Sequence, residues 1–279
     1  LDIKIKMERG VRRITSEDQL ISLHFADNSE ETYDKVIVTT GGSPKKSGLE
    51  WLENLGHKIV DPVPSLFTFN MPNEKIRDLM GIVVEDASVS IQGTKLKSEG
   101  PLLITHWGMS GPAILKLSAF GARILHDMSY EFKVQINWVS IQNVEHVIEE
   151  LKGIIKDHPN KLLTNYRPYK LPLRLWAFLL EKCAISEQMT WAQVGKKGLN
   201  KLSNILTNDV YQANGKTTFK EEFVTCGGIS LDSVDFKTMQ SKSVPNLYFA
   251  GELLNIDGIT GGYNFQAAWT TAFIAAKLN

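Results

Sequence analysis

The C-terminal stretch constrains the fold most. Residues 247–279 read LYFAGELLNIDGITGGYNFQAAWTTAFIAAKLN. A short apolar run, Leu247 to Ala250, leads into Gly251-Glu252, then into a loop carrying Gly258, Gly261 and Gly262, then into a helical run. From Tyr263 to Ala276 there is no charged residue. On a helix, Phe265, Ala268, Trp269, Ala272, Phe273 and Ala276 form one apolar face, and Ala267, Thr271, Ile274 and Ala275 form a second side of mostly small residues. A helix without charge on either side is expected to be buried nearly all round and to need a covering layer on more than one side. The order strand, Gly-Glu, Gly-rich loop, uncharged helix also suits a polar ligand. Glycines let backbone approach a ligand closely, and the free amides of a first helical turn favour an anionic or carbonyl oxygen. An ionised Glu252 accepts hydrogen bonds from hydroxyls. A plain packing unit whose glycines serve turns has the same spacing.

The N-terminal residues read as strands. IKIK (Ile3 to Lys6), VRRI (Val11 to Ile14) and LISLHF (Leu20 to Phe25) alternate with the two-residue period of half-buried antiparallel strands. The β-branched run Val36, Ile37, Val38 suits a strand buried on both faces, hence a parallel sheet, and ends in Gly41-Gly42-Ser43-Pro44. Short strand signals recur over residues 62–140. Residues 141–207 are helical in pattern, with Ile141, Val144, Ile148, Leu151 and Ile155 on one face. The run VYQANGKTTFKEEFVTCGGI reads as a hairpin turning at Asn214-Gly215.

Composition excludes several classes. The chain has 279 residues, 43% hydrophobic and 22% charged, with 31 basic against 31 acidic side chains. These are ordinary globular proportions, and the zero balance predicts no nucleic-acid partner, with a local basic patch left open. Cys183 and Cys226 are the only cysteines, too few and too far apart for a disulfide framework or thiolate metal site. The six histidines lack ligand spacing, so no metal is expected. No apolar run approaches the length of a membrane span. The expectation is a cytoplasmic protein with a small-molecule substrate, no membrane and an undefined oligomeric state.

Taken together, VIVTTGGSP, LLITHWGMSGPAILKLS, VTCGGI and TMQSKSVPNLYFAGELLNIDGITGGYNFQAAW resemble, in this order, the BaiN/RdsA-type family of NAD(P)/FAD-dependent oxidoreductases. The resemblance runs from about Val11 to the C-terminus. It implies a flavin-dependent oxidoreductase with FAD as cofactor and NAD(P)H as a candidate electron donor. It implies an α/β fold: a partial Rossmann-like FAD-binding domain built from both chain ends, with an inserted β-rich unit and a helical unit. The boundaries would be 1–61 for the first part of the FAD-binding domain and 62–140 for the β-rich unit. Residues 141–212 would be the helical unit, 213–230 the returning hairpin, and 231–279 the rest of the FAD-binding domain. Family members begin with a βαβ unit carrying the Gly-rich fingerprint for the FAD pyrophosphate. No G-x-G-x-x-G occurs here, so the resemblance implies a C-terminal portion that binds FAD weakly or not at all by itself.

The resemblance also assigns cofactor-binding residues. Val11 lies in the strand whose backbone meets the adenine. Thr40, Gly41 and Gly42 match the turn that approaches the dinucleotide, with Thr39 where the family has alanine. Gly251 and Glu252 match the pair facing pyrophosphate and ribityl chain. Asp257 matches the acid of an IDG element, while Asn255 replaces an aspartate. Gly261, Gly262, Tyr263, Asn264 and Phe265 match the turn and helix start beneath the isoalloxazine, where amides stabilise negative charge on the reduced ring. No catalytic side chain stands out.

Other readings compete. Ser110, in a strand-turn-helix context, suggests a serine hydrolase, but Pro112 stands where the nucleophile elbow needs glycine. His106 is a candidate acid or base, or a structural histidine. Cys226 is a candidate redox thiol, or a small buried apolar group. Lys196, Lys197 and Lys201 read as a solvated helix face. A non-catalytic binding or assembly module is the remaining alternative.

Overall fold

A computed structural model describes residues 3–217 and 224–278. By internal contacts the chain divides into two compact units, residues 1–65 with 224–279, and residues 66–223.

In the first unit, Val11–Glu17, Leu20–Phe25 and Glu30–Tyr33 form an antiparallel meander. Asp18 and Gln19, at φ 49° and 67°, make its first turn, the two positive φ values that a two-residue hairpin needs. Ile14, Ile21 and Phe25 are its buried residues, the alternation expected of a half-buried sheet. The predicted strand at Ile3 to Lys6 does not form: Ile3 and Ile5 are 76% and 78% exposed and join no ladder among the described residues. Alternation alone supplies no ladder partner, and an unpaired extended segment is solvated instead.

Val36–Val38 pairs in parallel with Leu247–Phe249, in the register Val36–Leu247, Ile37–Tyr248, Val38–Phe249. This pair continues through Gln240–Ser241 to Val234–Asp235, leaving Val36–Val38 as an edge of the four-stranded sheet. A separate ladder joins Ile59–Ser65 to Val224–Ile229. At its centre Gly227 has φ 136°, and a Cβ there would lie 2.7 Å from Asp61 O; the bulge closes only on glycine.

The helix Tyr263–Ala275 differs from expectation. Its buried residues are Thr271 and Ala275, on the side with small residues. Tyr263, Phe265, Trp269 and Phe273 are 59%, 69%, 70% and 68% exposed. Small side chains let this helix sit close to the sheet, so the small face is the packed one, and the bulky face points away. Lack of charge did not report burial here.

The second unit is a curled antiparallel sheet with helices. The strand order is Asp209–Asn214, Glu131–Asn137, Val83–Ile91, Lys97–Ile104, Gly108–Ser110, Thr68–Asn70, Lys216–Thr217. The first and last strands in this order are joined by Gly215 (φ 87°). Its N–H donates to Tyr130 O at 2.9 Å and its carbonyl accepts from Asn70 N at 3.2 Å. The Asn214-Gly215 turn therefore links two edges instead of making a hairpin: Asp209–Asn214 pairs with Glu131–Asn137, and Lys216–Thr217 with Thr68–Asn70. Residues 218–223 of the predicted hairpin lie outside the described residues, and Val224–Ile229 pairs in the first unit.

Pro112–Phe120 packs on the sheet through Ala113, Ile114 and Leu117. Four further α-helices follow among the described residues: Ala122–Asp127, Val144–Asp157, Leu173–Lys182 and Gly195–Thr207. Trp138, Trp176 and Trp191 are at most 1% exposed. Each indole N–H has a partner: Asp209 Oδ2 at 2.9 Å, Leu163 O at 2.9 Å and Tyr166 O at 3.1 Å. Burying an indole is favourable only when its donor is satisfied.

Candidate functional site

The parallel pair delivers two turns to the same end of the sheet. After Val38 the chain runs through Thr39, Thr40, Gly41 and Gly42; after Phe249 it runs through Ala250, Gly251 and Glu252, and Ala250 N donates to Val38 O at 3.1 Å. Loops beyond the carboxyl ends of parallel strands form crevices suited to ligands. Here the two turns are joined by a third segment. Thr225 N donates to Glu252 Oε1 at 2.8 Å. A Cβ on Gly42 would lie 2.5 Å from Thr225 Oγ1 and 3.1 Å from Glu252 Cδ. Gly42, Thr225 and Glu252 thus form one tight contact, and the glycine serves packing.

Gly41, Gly251 and Gly262 are different. They have φ of 77°, 81° and 86°, and a Cβ on any of them would meet nothing within 4 Å. These three expose backbone to open space, where a group approaching the chain closely would lie. The Gly251 amide is itself used, donating to Thr271 Oγ1 at 3.0 Å, which ties the turn to the final helix.

The loop between Glu252 and the helix is held from both ends. Asp257 Oδ2 accepts from Ser65 Oγ at 2.9 Å. Asn264 accepts from Gly258 N at 2.7 Å and donates to Gly258 O at 3.0 Å. The Asn264 side chain therefore clamps the loop. Gly262 caps the helix with no side-chain hydrogen bond to its first-turn amides. Tyr263 and Phe265 point out to solvent.

Val11 lies elsewhere in this unit, on the wall of a cavity of about 350 Å³ beside the open edge of Val36–Val38. Arg12, Arg13, Leu23, Thr39, Thr40 and Trp51 share that wall. Val11 and Thr40 are thus brought together, while Asp257 and Gly261 to Phe265 belong to the separate loop and helix start. Sequence reasoning missed Thr225, Thr271, Ser65, Arg12, Arg13 and Trp51. Only Arg12 and Arg13 carried a signal, two adjacent cations beside Val11.

The competing candidates fare poorly. Ser110 ends a ladder strand opposite Leu103. A Cβ on the adjoining Gly111 would lie 2.9 Å from both Leu103 N and Pro101 O. The glycines of GMSGP thus serve close backbone approach, and no hydrogen bond joins Ser110 to a histidine among the described residues. The His106 ring is exposed and lies 3.8 Å from that of Trp107. Cys226 pairs within the ladder opposite Val63. Cys183 is buried, which pushes its thiol up to about 11. Among the described residues no helix is long and apolar enough to cross a membrane.

Several known proteins are similar to this chain. It is 30% identical over 253 residues to a ribosomal RNA dihydrouridine synthase of Escherichia coli (strain K12), covering 88% of this chain and 60% of that protein. It is 27% identical over 274 residues to a ribosomal RNA dihydrouridine synthase of Haemophilus influenzae, covering 95% and 65%. It is 24% identical over 286 residues to a 3-dehydro-bile acid delta(4,6)-reductase of Clostridium scindens, covering 98% and 69%. The chain thus spans under two thirds of the length of the first two. Two relatives named for ribosomal RNA overturn the expectation of no nucleic-acid partner. Net charge is a sum over the whole chain and says nothing about how charge is distributed. A family profile described as HI0933-like protein barrel and H2TH domain matches residues 63–224, more than half of the chain, and the chain belongs to the HI0933-like family.

Proposed function

We propose that this chain belongs to a flavin-dependent reductase that saturates a carbon–carbon double bond, with ribosomal RNA uridine as the substrate. The observation that carries the flavin reading is the set of three positive-φ glycines, Gly41, Gly251 and Gly262, each with open space where a Cβ would stand. Such positions fit a dinucleotide lying against backbone, and the residues matched by resemblance occupy them. The Rossmann-like reading of this unit rests on its single parallel pair and belongs to the same proposal.

A bound reduced flavin would supply a hydride to one carbon of the double bond, with water supplying the proton to the other and NAD(P)H the electrons. The protein's part is to hold and orient. Thr225 fixes Glu252, whose remaining oxygen can accept from ligand hydroxyls. Asp257 and Asn264 set the loop so that the amides at Gly262 and Tyr263 stay available at the helix start. The relatives' names support the reaction class. Dihydrouridine is uridine with one ring double bond reduced, and the third relative is named a reductase.

The test uses the product of the complete gene. Flavin absorbance in the purified protein, its loss in Gly251→Val, and disappearance of dihydrouridine from ribosomal RNA in a strain lacking the gene are expected. A protein without flavin sinks the cofactor reading, and unchanged dihydrouridine sinks the substrate reading.

A further inference from the structure

The neutral total hides a polarised surface in the second unit. Residues 158–180 contain Lys161, Arg167, Lys170 and Arg174 and no acidic residue. Residues 188–208 contain Lys196, Lys197 and Lys201 and again no acidic residue. All seven are exposed, and none pairs with a carboxylate among the described residues.

The fold brings these two runs together. Leu162 bridges to Thr190. Trp191 N donates to Lys161 O at 3.0 Å, Leu163 N to Met189 O at 3.1 Å and Ala192 N to Pro159 O at 2.9 Å. Trp191 Nε1 reaches back to Tyr166 O at 3.1 Å. The segment 159–166 and the turn 189–194 therefore form one hydrogen-bonded platform. Lys161 stands within the first segment and Arg167 directly after it, and the helix carrying Lys196 and Lys197 starts at Gly195, directly after the turn. Both lysines fall in the first turn of that helix, which holds no acid. Cations there repel the positive end of the helix dipole, so helix stability does not account for them.

The platform also carries an aromatic pair. The rings of His158 and Tyr166 lie 4.2 Å apart, tilted by 41°, and Tyr166 is 37% exposed. A half-exposed ring flanked by cations is a combination that single-stranded RNA uses, its phosphates on the cations and an unstacked base on the ring. Glu181 and Glu187 separate the two runs in sequence, and Glu150 lies beside the hydroxyl of Tyr169, next to Lys170.

We propose that the platform of Lys161, Tyr166, Arg167, Lys170, Lys196 and Lys197 holds the phosphodiester backbone of ribosomal RNA and stacks one unpaired base on Tyr166. The proposal rests on the RNA-substrate reading above and assigns it a surface. The lysines contribute by displacing condensed counterions, so their contribution appears in the salt dependence of binding. Tyr166 contributes by stacking, which does not.

The experiment measures binding of the complete gene product to protein-free ribosomal RNA across a salt series. The triple change Lys161→Glu, Lys196→Glu, Lys197→Glu is expected to reduce the slope of log affinity against log salt by about 3, one for each lost phosphate contact. A control triple, Lys58→Glu, Lys133→Glu, Lys237→Glu, alters net charge equally and should leave the slope near that of the unchanged protein. Tyr166→Ala should weaken binding on the order of ten-fold with the slope unchanged. Melting curves check folding, and Lys→Gln versions replace any variant that fails. Equal losses in both triples would overturn the surface while leaving the RNA reading intact. No RNA binding by the unchanged protein would overturn both. Tighter binding of phosphatidylglycerol vesicles than of RNA, lost with the same lysines, would assign the face to a membrane and overturn the proposal.

Discussion

Thr225 donates its backbone N–H to Glu252 Oε1 at 2.8 Å, and this bond joins two segments that are 27 residues apart in sequence. Thr225 is 8% exposed, so its amide has little access to water as a replacement partner. Glu252→Ala is expected to leave that donor unpaired, at a cost of about 1–3 kcal/mol. Glu252→Gln keeps an acceptor and should cost much less. Gly42→Ala forces a methyl against Thr225 Oγ1 and should cost about 1–3 kcal/mol by overpacking. Denaturant unfolding of the three variants checks the order.

His57 makes stability depend on pH. Its ring is 2% exposed. Nδ1–H donates to Leu52 O at 3.0 Å, and Nε2 accepts from Ser241 Oγ at 2.7 Å. Burial holds its pKa below the ordinary 6.5, which favours the neutral ring and with it Nε2 as the acceptor. The unfolded chain therefore binds a proton at a pH where the folded chain does not. Stability from this group is complete above about 6.5 and falls as pH drops from there through the lowered folded value. His57→Gln should be less stable at neutral pH but lose that part of the pH slope. Melting temperatures between pH 8 and pH 5, taken for both proteins, test this; parallel curves would place the sensitive group elsewhere.

Asp209 anchors the second unit. It is 2% exposed and accepts from Trp138 Nε1, from Tyr211 OH and from Lys182 Nζ. Burial, and then Asp209, push the Tyr211 hydroxyl well above its usual range, so it remains a donor at any working pH. Lys182→Met removes the counter-charge and strands a buried carboxylate, an expected loss of about 3–5 kcal/mol. Tyr211→Phe removes one neutral donor and should cost nearer 1 kcal/mol. Equal losses would show that the tyrosine hydroxyl holds Asp209 as strongly as the ammonium does, and that the counter-charge does not dominate.

The legible parts of the fold were those with local causes. Val36, Ile37 and Val38 read as a strand of a parallel pair, and that strand is parallel to Leu247–Phe249, although as a sheet edge it buries only Val38 and leaves Val36 and Ile37 half-buried. The helix Val144–Asp157 follows its three- and four-residue spacing, with Val147 and Leu151 buried. What was not legible depends on distant partners. Ile3 to Lys6 has the alternation of a strand but joins no ladder among the described residues. Asn214-Gly215 has the letters of a hairpin turn, yet connects strands that pair with Glu131–Asn137 and Thr68–Asn70. In the candidate site, the glycines were visible as letters, but their roles were not. Gly42 is pressed against Thr225 and Gly41 is open, a distinction made by a strand nearly two hundred residues away. The positive face of the second unit was half visible, as Lys196, Lys197 and Lys201. Lys161 and Arg167 are brought to it by the Leu162–Thr190 bridge and the backbone hydrogen bonds beside it, which link segments distant in sequence.

The final helix supplies the last prediction. Trp269 and Phe273 are 70% and 68% exposed on a face that also carries Phe265 at 69%, while the helix is held by Thr271 and Ala275. Side chains that touch little in the folded unit contribute little to its stability, and surface changes typically stay within about 0.5 kcal/mol. Trp269→Gln with Phe273→Gln in this 279-residue chain should therefore leave the unfolding free energy almost unchanged. The same pair should reduce self-association, because contiguous exposed aromatic surface drives it. Thr271→Val gives the contrast: it leaves the Gly251 amide without its acceptor and should cost about 1–3 kcal/mol. Sedimentation velocity and denaturant unfolding on the same samples separate the two effects. A large stability loss from the glutamine pair would mean that the aromatic face is packed in solution, and would restore the expectation of a helix covered on both sides.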